Sequence, residues 1–388
     1  MARILHVVPA YLPATLWGGP VFSTSALVRA AVRAGHETTV LTTNSADPET
    51  GEFLSLDQNP ARFPEGYDVH YMHRSFGQSG SWEMLRKLSG MVRRADLVHL
   101  SMTYSFPTLP TLALCKIFGK PVVWSPRGAI QATAEWADAP RKRAKTAFES
   151  LARGLAPKRT VLHVTAQSEK DATAGRMPGL DIVTIANAVA VPDTVPQRVF
   201  RPDGRLRLLF ISRLHPKKGI DQLIATLARL PDHITLTVAG SGSPAFEAEL
   251  NAQVVALGLG ARITFLGQVN DAAKSAAFHE ADALVLPTLS ENFGIAIAEG
   301  LAHGLPVITT TGAPWEGIKA HRCGDWIDPT PEALEAALTA LDAIDVNELS
   351  AMGARGYAWM KDTYSEAILG ADMMAVYDRI LDQGRPSE

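Results

Sequence analysis

The segment Pro287-Thr-Leu-Ser-Glu291-Asn292-Phe293-Gly294-Ile295-Ala-Ile-Ala-Glu299-Gly-Leu-Ala-His-Gly304 sets two carboxylates eight residues apart in a run that is otherwise nearly all apolar. Glu299, flanked by Ile297, Ala298 and Leu301, needs a partner there, because an unpaired charge among apolar groups is costly. The segment follows the apolar run Ala283–Leu286, and Ser290 or Asn292 is placed to cap a helix running to Gly304. Gly294 leaves the first-turn amides uncovered, and such a helix N-terminus suits a phosphate group. Glu291 would lie just before the helix and Glu299 about two turns inside it. Eight helical residues rise about 12 Å, close to the span from a hexose to a ribose across a bent diphosphate. One carboxylate can then hold sugar hydroxyls and the other ribose hydroxyls. Two solvated glutamates on an amphipathic helix are the competing explanation.

Three further loops carry chemistry of the same kind. Ile211-Ser-Arg213-Leu-His-Pro-Lys-Lys218-Gly219 offers two cations, Arg213 and Lys218, that can clamp phosphate oxygens and stabilise a departing diphosphate; a basic surface loop has the same composition. Trp17-Gly18-Gly19-Pro20 lets backbone amides approach a phosphate closely, although many turns look alike, and it lacks the GxGxxG spacing of a dinucleotide site. Val238-Ala-Gly240-Ser-Gly242-Ser is a loop near a nucleotide base or simply a turn. No Asp-x-Asp occurs in the chain, so no obligatory metal is expected, fixed cations and a helix N-terminus doing that electrostatic work instead.

These loops need rigid elements behind them. Short apolar runs alternate with helical patterns throughout: Arg3–Val8, Glu37–Thr42, Val69–Met72, Leu97–Leu100, Val122–Ser125, Leu162–Thr165 and Ile182–Ile185, then Leu206–Ile211, Ile234–Ala239, Ile263–Leu266, Ala283–Leu286 and Val307–Thr310. Continuous apolar runs suit strands buried on both faces, and their alternation with helices such as Ser23–Ala34 predicts parallel, doubly wound sheets. Three prolines and a glycine between Val191 and Gly204 read as a linker. Two α/β domains so joined would face across a cleft, with ligands at the carboxyl ends of the strands. The tail Ser365–Leu381 has helical spacing.

The Glu291-x7-Glu299 segment with Phe293-Gly294, the Arg213…Lys218-Gly219 loop and the Gly18-Gly19 turn, in this order, resemble the retaining GT-B glycosyltransferases of the family 4 type, whose bacterial members build lipopolysaccharide, capsule and exopolysaccharide. The resemblance covers nearly the whole chain. It implies two Rossmann-like domains: residues 1–192 binding the acceptor, residues 205–364 binding the nucleotide sugar, and a helix over 365–388 crossing back to the first. It implies that Glu291 contacts the donor sugar and Glu299 the ribose. Arg213, Lys218, the amides of Phe293, Gly294 and Ile295, with Asn292 beside them, and the Gly18–Gly19 turn would bind the diphosphate. His163-Val-Thr-Ala-Gln-Ser168-Glu169 and Ile185-Ala-Asn187-Ala-Val189 resemble further family stretches. Many members carry a histidine where this chain has Arg127, in Ser125-Pro-Arg127-Gly128-Ala129. Arginine cannot act as a base at neutral pH, which leaves an anion-binding or a structural role.

Composition bounds the rest. The 388 residues, 46% hydrophobic and 20% charged with a net charge of −3, suit a globular two-domain chain without a global basic field for nucleic acid. Cys115 and Cys323 lack metal spacing, which points to a reducing cytoplasm. The N-terminal apolar run is too short for a signal peptide, and no run is long enough to span a bilayer. Residues 141–159 hold Arg141, Lys142, Arg143, Lys145, Arg153, Lys158 and Arg159 against one acid, Glu149, so they form either a solvated basic face or one that rests on the cytoplasmic side of an anionic inner membrane near a lipid-linked acceptor. The amphipathic stretch Trp82–Arg94 either assists or packs inward, and Trp315-Glu316 lines the nucleotide side or packs. The expected partners are therefore a UDP- or GDP-sugar donor and a glycan or lipid-linked acceptor, with no further cofactor. The rival readings are a sugar-nucleotide 2-epimerase, which needs no acceptor, a dinucleotide-dependent oxidoreductase, disfavoured by the missing GxGxxG, and a silent nucleotide-sugar binder.

Overall fold

The apolar runs become the strands of two sheets, because β-branched and aliphatic residues buried on both faces fit the middle of a parallel sheet. In the computed structural model, which describes residues 1–47, 50–130 and 141–383, the chain divides into two compact units, Met1–Ala188 with Glu366–Glu388, and Val189–Ser365. The first unit contains β1 (Arg3–Val7), β2 (Glu37–Thr43), β3 (Ala61–Arg62), β4 (Asp68–Met72), β5 (Leu97–Ser101), β6 (Val122–Ser125), β7 (Thr160–Val164) and β8 (Asp181–Thr184). They lie in the order β3-β4-β2-β1-β5-β6-β7-β8, parallel except for β3 against β4. Every residue of β5 and of β7 is buried.

Helices cover this sheet. Trp82–Arg94 is capped by Ser81, whose Oγ accepts the Met84 N–H at 3.1 Å, and it buries Met84, Leu88 and Val92 at a spacing of one turn. The first helix runs Gly19–Arg33 rather than from Ser23. Pro20 fits its first turn, where no N–H is needed, so the helix absorbs the Gly-Pro step. The final helix, Glu366–Asp382, packs on it: Glu366 binds Arg29 and Arg33, and a Cβ at Gly370 would lie 2.7 Å from the Ala30 Cβ.

The second unit contains β9 (Leu206–Ile211), β10 (Ile234–Ala239), β11 (Ile263–Gly267), β12 (Ala283–Leu286), β13 (Val307–Thr310) and β14 (Gly324–Ile327), in the parallel order β11-β10-β9-β12-β13-β14. Strands β3 and β14 were not expected; both are short or mixed in polarity and depend on one neighbour for pairing. The proline-rich stretch read as a linker is packed on this unit. Arg198 donates to the carbonyls of Phe278 at 2.9 Å and Ala281 at 2.7 Å and to that of His303, and the Tyr357 hydroxyl donates to Pro192 O at 2.8 Å. Prolines here set an extended path whose carbonyls are met by side chains rather than a flexible tether. Among the described residues no helix is long and apolar enough to cross a membrane.

Candidate active site

Ligands of doubly wound sheets bind beyond the strand ends where strand order reverses. In the second unit that point lies between β9 and β12. The loop after β9 carries Arg213 and Lys218, and the loop after β12 carries Glu291. The structure joins these two loops. Lys218 Nζ donates to Glu291 Oε1, with the side chains 14% and 15% exposed. The Leu289 N–H donates to Lys217 O at 2.8 Å, and Thr288 Oγ1 to the same carbonyl at 3.1 Å. Gly219 permits the approach: its φ is +71°, and a Cβ there would lie 2.2 Å from Pro287 O.

Arg213 is exposed. Its loop is braced by the Gly240-Ser-Gly242 turn, where Leu214 N–H donates to Ser241 O at 2.8 Å and a Cβ at Gly242 would lie 2.3 Å from Leu214 O. Of the two readings of that turn, bracing accounts for both of its glycines.

The helix after β12 is shorter than expected. It spans Ile295–Ala302, with Gly294 at its N-cap in the left-handed region (φ 81°) rather than Ser290 or Asn292. Its apolar residues pack on β12, where a Cβ at Gly300 would lie 2.7 Å from Leu284 Cδ2, so the chain before it must swing out. Phe293 and Gly294 thus precede the helix, and Ile295 opens it with first-turn N–H groups that have no intrahelical acceptor. Glu299 sits about one turn in rather than two, and residues 291–294 are not helical, so the 12 Å helical rise does not describe the separation of the two carboxylates. Trp315, 1% exposed, packs rather than lining an open surface. Its ring centroid is 5.1 Å from that of Phe293, and its indole N–H donates to Phe293 O.

Glu299 meets Lys274 Nζ at 2.7 Å, the side chains being 21% and 24% exposed. Lys274 stands on the helix Asp271–Glu280. Sequence reasoning missed it, since nothing in a lone lysine on a polar helix announces a partner twenty-five positions away.

In the first unit the strand order reverses between β1 and β5. Val8, Pro9 and Ala10 after β1 and Ser101 and Met102 at the end of β5 line a small hollow there together with Trp17. Gly18, with φ 74°, is the N-cap of the helix that Gly19 opens. Arg127 follows β6 in a left-handed turn (φ 56°). Its Nη1 donates to Asn187 Oδ1 at 2.9 Å. Burial lowers its guanidinium to about 10, so it stays charged at neutral pH. The Arg127 turn is held by Glu169, which accepts from the N–H groups of Gly128 at 2.7 Å and Thr165 at 2.8 Å.

Beside Arg127 runs a buried hydrogen-bond chain that the sequence reading did not single out. His163 Nε2 lies 2.8 Å from Ile185 O, Ser125 Oγ 2.7 Å from both His163 Nδ1 and His99 Nε2, and His99 Nδ1 contacts the Tyr377 hydroxyl. A carbonyl only accepts, so His163 must donate from Nε2 and accept at Nδ1. Ser125 then donates to His163, His99 donates to Ser125, and Tyr377 donates to His99. Every proton position follows with both rings neutral. Burial pushes His163 down to about 3 and His99 well below the usual histidine range, with the Arg127 charge adding to both. The available signal was a histidine at the centre of three apolar runs, at His6, His99 and His163.

Arg213, Lys218, Glu291 and Glu299 belong to the second unit and Gly18, Gly19 and Arg127 to the first. Among the described residues no group of three or more His, Cys, Asp and Glu side chains is placed to hold a metal.

A family model described as "Glycosyl transferases group 1" matches residues 193–359, and one described as "Glycosyl transferase 4-like domain" matches residues 18–188. Among curated proteins the chain is 31% identical over 215 residues to a phosphatidyl-myo-inositol mannosyltransferase of Mycobacterium leprae, covering 53% of this chain and 56% of that one. The chain spans about half the length of such curated relatives. Among solved structures it resembles a sucrose-phosphate synthase from Thermosynechococcus elongatus (TM-score 0.75, 17% identity, 99% of this chain and 100% of that one). It also resembles Anabaena HepE in complex with UDP-glucose (TM-score 0.71, 17% identity, 98% and 100%). At these identities the solved structures establish the fold, GT-B with two parallel-sheet α/β domains.

Proposed function

The chain belongs to the group 1 glycosyltransferases, with a glycosyl transferase 4-like domain ahead of the group 1 domain, and from that premise we propose that it moves a sugar from a UDP- or GDP-sugar to a glycan or lipid-linked acceptor with retention of anomeric configuration. The observation that carries this reading is the Lys218–Glu291 pair at the strand-order reversal of the second unit, beside the exposed Arg213 and the helix start at Gly294–Ile295. Arg213, Lys218 and the backbone N–H groups of 293–295 take the diphosphate, with Asn292 alongside. Negative charge on that group grows as the glycosidic bond breaks, so donors fixed around it stabilise the transition state more than the ground state. They supply the charge neutralisation that a divalent metal supplies elsewhere, and the reaction proceeds without an obligatory metal.

Glu299 holds the ribose hydroxyls and Glu291 the donor sugar. Each carboxylate is already held by a lysine, Lys274 and Lys218 respectively, so donor binding exchanges the Lys218 contact for a diphosphate oxygen and frees Glu291 for sugar hydroxyls. In the first unit, Gly19 and Arg127 present an N–H group and a cation for an anionic oxygen, with Gly18, whose own N–H is bonded to Thr15 O at 2.9 Å, shaping the turn. The acceptor belongs to surface-polysaccharide synthesis, lipopolysaccharide, capsule or exopolysaccharide, at the cytoplasmic face of the inner membrane. Exposed Lys142, Arg143, Arg153 and Lys158, with Glu149 turned inward to Arg176, support such a resting face.

A thermal-shift screen across UDP-, GDP- and ADP-sugars tests the reading. One nucleotide class should raise the melting temperature, and none doing so would overturn it. Glu299→Ala should weaken binding of the free nucleotide, whereas Glu291→Ala should keep that binding and lose turnover. Equal losses in the two variants would contradict the division of roles. Product should form only with acceptor present and persist in EDTA, and the anomeric proton coupling of the product reads retention.

A further inference from the structure

The Arg127 guanidinium is used on one side only. Nη1 is spent on Asn187. Nε and Nη2, the two nitrogens of its lateral edge, are buried and meet no acceptor among the described residues. That edge presents two parallel N–H groups, the fork that a carboxylate or phosphate engages with both oxygens. Arginine donors without acceptors are costly in a protein interior.

The nearby groups do not supply the missing acceptor. Glu169 is fully buried, and its oxygens face the N–H groups of Gly128 and Thr165 and the Thr165 hydroxyl. It offsets the Arg127 charge through space without bonding to it. The tyrosine and histidines beside Arg127 donate along their own chain. His6 is the remaining neighbour: it is fully buried, stacks on His99 with centroids 5.0 Å apart, and neither ring nitrogen has a partner among the described residues. Burial and the Arg127 charge hold it neutral, so one ring nitrogen carries an N–H that can donate, and the other, though able to accept, is not bonded to the guanidinium.

We propose that Arg127 and His6 form an anion site in the first unit that receives the phosphate or carboxylate group of an acidic acceptor. As a statement about the acceptor this rests on the glycosyltransferase reading above; as a statement about anion binding it rests on the first unit alone. The lateral fork of Arg127 takes two oxygens of the anion, and His6 donates to it. The chemistry shared by the candidate ligands is a compact oxyanion, from a phosphate ester or from a uronic acid.

The test uses the full chain saturated with UDP, so that the Arg213–Lys218 loop is already occupied. Inorganic phosphate, D-glucuronate and neutral D-glucose are titrated at matched ionic strength, with the melting temperature and titration calorimetry as readouts. Phosphate or glucuronate should stabilise the wild-type protein and glucose should not; which anion acts names the source. R127Q should weaken anion binding roughly tenfold or more, the loss expected for a charged two-point contact. R127K, which keeps the charge and loses the fork, should fall between, and it carries the test if R127Q does not fold. No anion-dependent shift in the wild type, or shifts in R127Q and R127K as large as that of the wild type, overturns the proposal and leaves Arg127 as a structural residue. Should UDP itself fail to bind, the donor-site reading falls, while an Arg127-dependent phosphate response would still stand.

Discussion

At the scale of single residues, the site is a set of charges held ready by other charges. Lys218 and Glu291 pair across two loops, and neither is more than about one-sixth exposed. Removing one partner leaves the other both unpaired and misplaced. Lys218→Met should therefore lower kcat by about 10²–10³, the loss seen when one preorganised donor to a developing anion is removed, and should raise the Kd for UDP more modestly. Steady-state kinetics set beside calorimetric UDP binding separates the two, and an unchanged kcat would remove Lys218 from the reaction. Lys274 acts at one remove. Lys274→Met should weaken UDP binding less than Glu299→Ala does, because Glu299 remains but loses the contact that orients it. Arg213, Lys218, Glu291 and Glu299 were legible from residue type and from their position after apolar runs. Lys274 was not, because its contact is made between helices and leaves no local pattern.

At the scale of elements, two loops meet because glycines let them. Gly219 has a left-handed backbone and no room for a Cβ against Pro287 O. Gly219→Ala should destabilise the second unit by roughly 2 kcal/mol or more and lower activity further by moving Lys218 away from Glu291. Urea unfolding followed by activity under native conditions reads the two effects in turn. Trp315→Phe keeps the ring packing against Phe293 and loses the hydrogen bond to its carbonyl. It should cost about 1 kcal/mol of stability and weaken nucleotide binding, since the loop whose amides face the diphosphate is no longer pinned. The twelve expected strands were legible because continuous apolar runs leave a parallel sheet few alternatives. Helix starts were less so. Gly18 and Gly294 stand at the N-caps of their helices, where the first was expected to begin at Ser23 and the second to be capped by Ser290 or Asn292, and their reason is a positive backbone φ fixed by the tertiary path. The proline-rich stretch at 191–204 read as a tether because the guanidinium that binds it, that of Arg198, carries no sign of its distant carbonyl partners.

At the scale of the whole molecule, titration is unevenly shared between the two units. His6, His99 and His163 all belong to the first, and their neighbours are Arg127, Tyr377, Ser125 and the more distant Glu169. Burial places His6 and His163 near 3 and His99 well down, each with the Arg127 charge acting in the same direction. In the unfolded chain each returns to the ordinary value near 6.5. A group whose folded value is depressed takes up its proton first when unfolded, so the stability it contributes is present above about pH 6.5 and is lost as pH falls from there toward 3. Each histidine removes about 1.4 kcal/mol per pH unit within that window, and three together remove about 3–4 kcal/mol between pH 7 and 5.5, a large share of the margin of an ordinary domain. The directional chain from Tyr377 to Ile185 sharpens the effect, because a proton on His163 Nδ1 or His99 Nδ1 turns an acceptor into a donor facing a donor. Calorimetric scans at pH 7.5 and 5.5 should therefore show the transition of the first unit moving to lower temperature by more than that of the second, where, among the described histidines, His303 is the one that burial lowers. Tyr377→Phe removes the first donor of the chain and leaves His99 Nδ1 unpaired, so it should lower the first transition at both pH values. Transitions that shift equally between the two pH values would mean that these histidines are not held neutral in the folded protein.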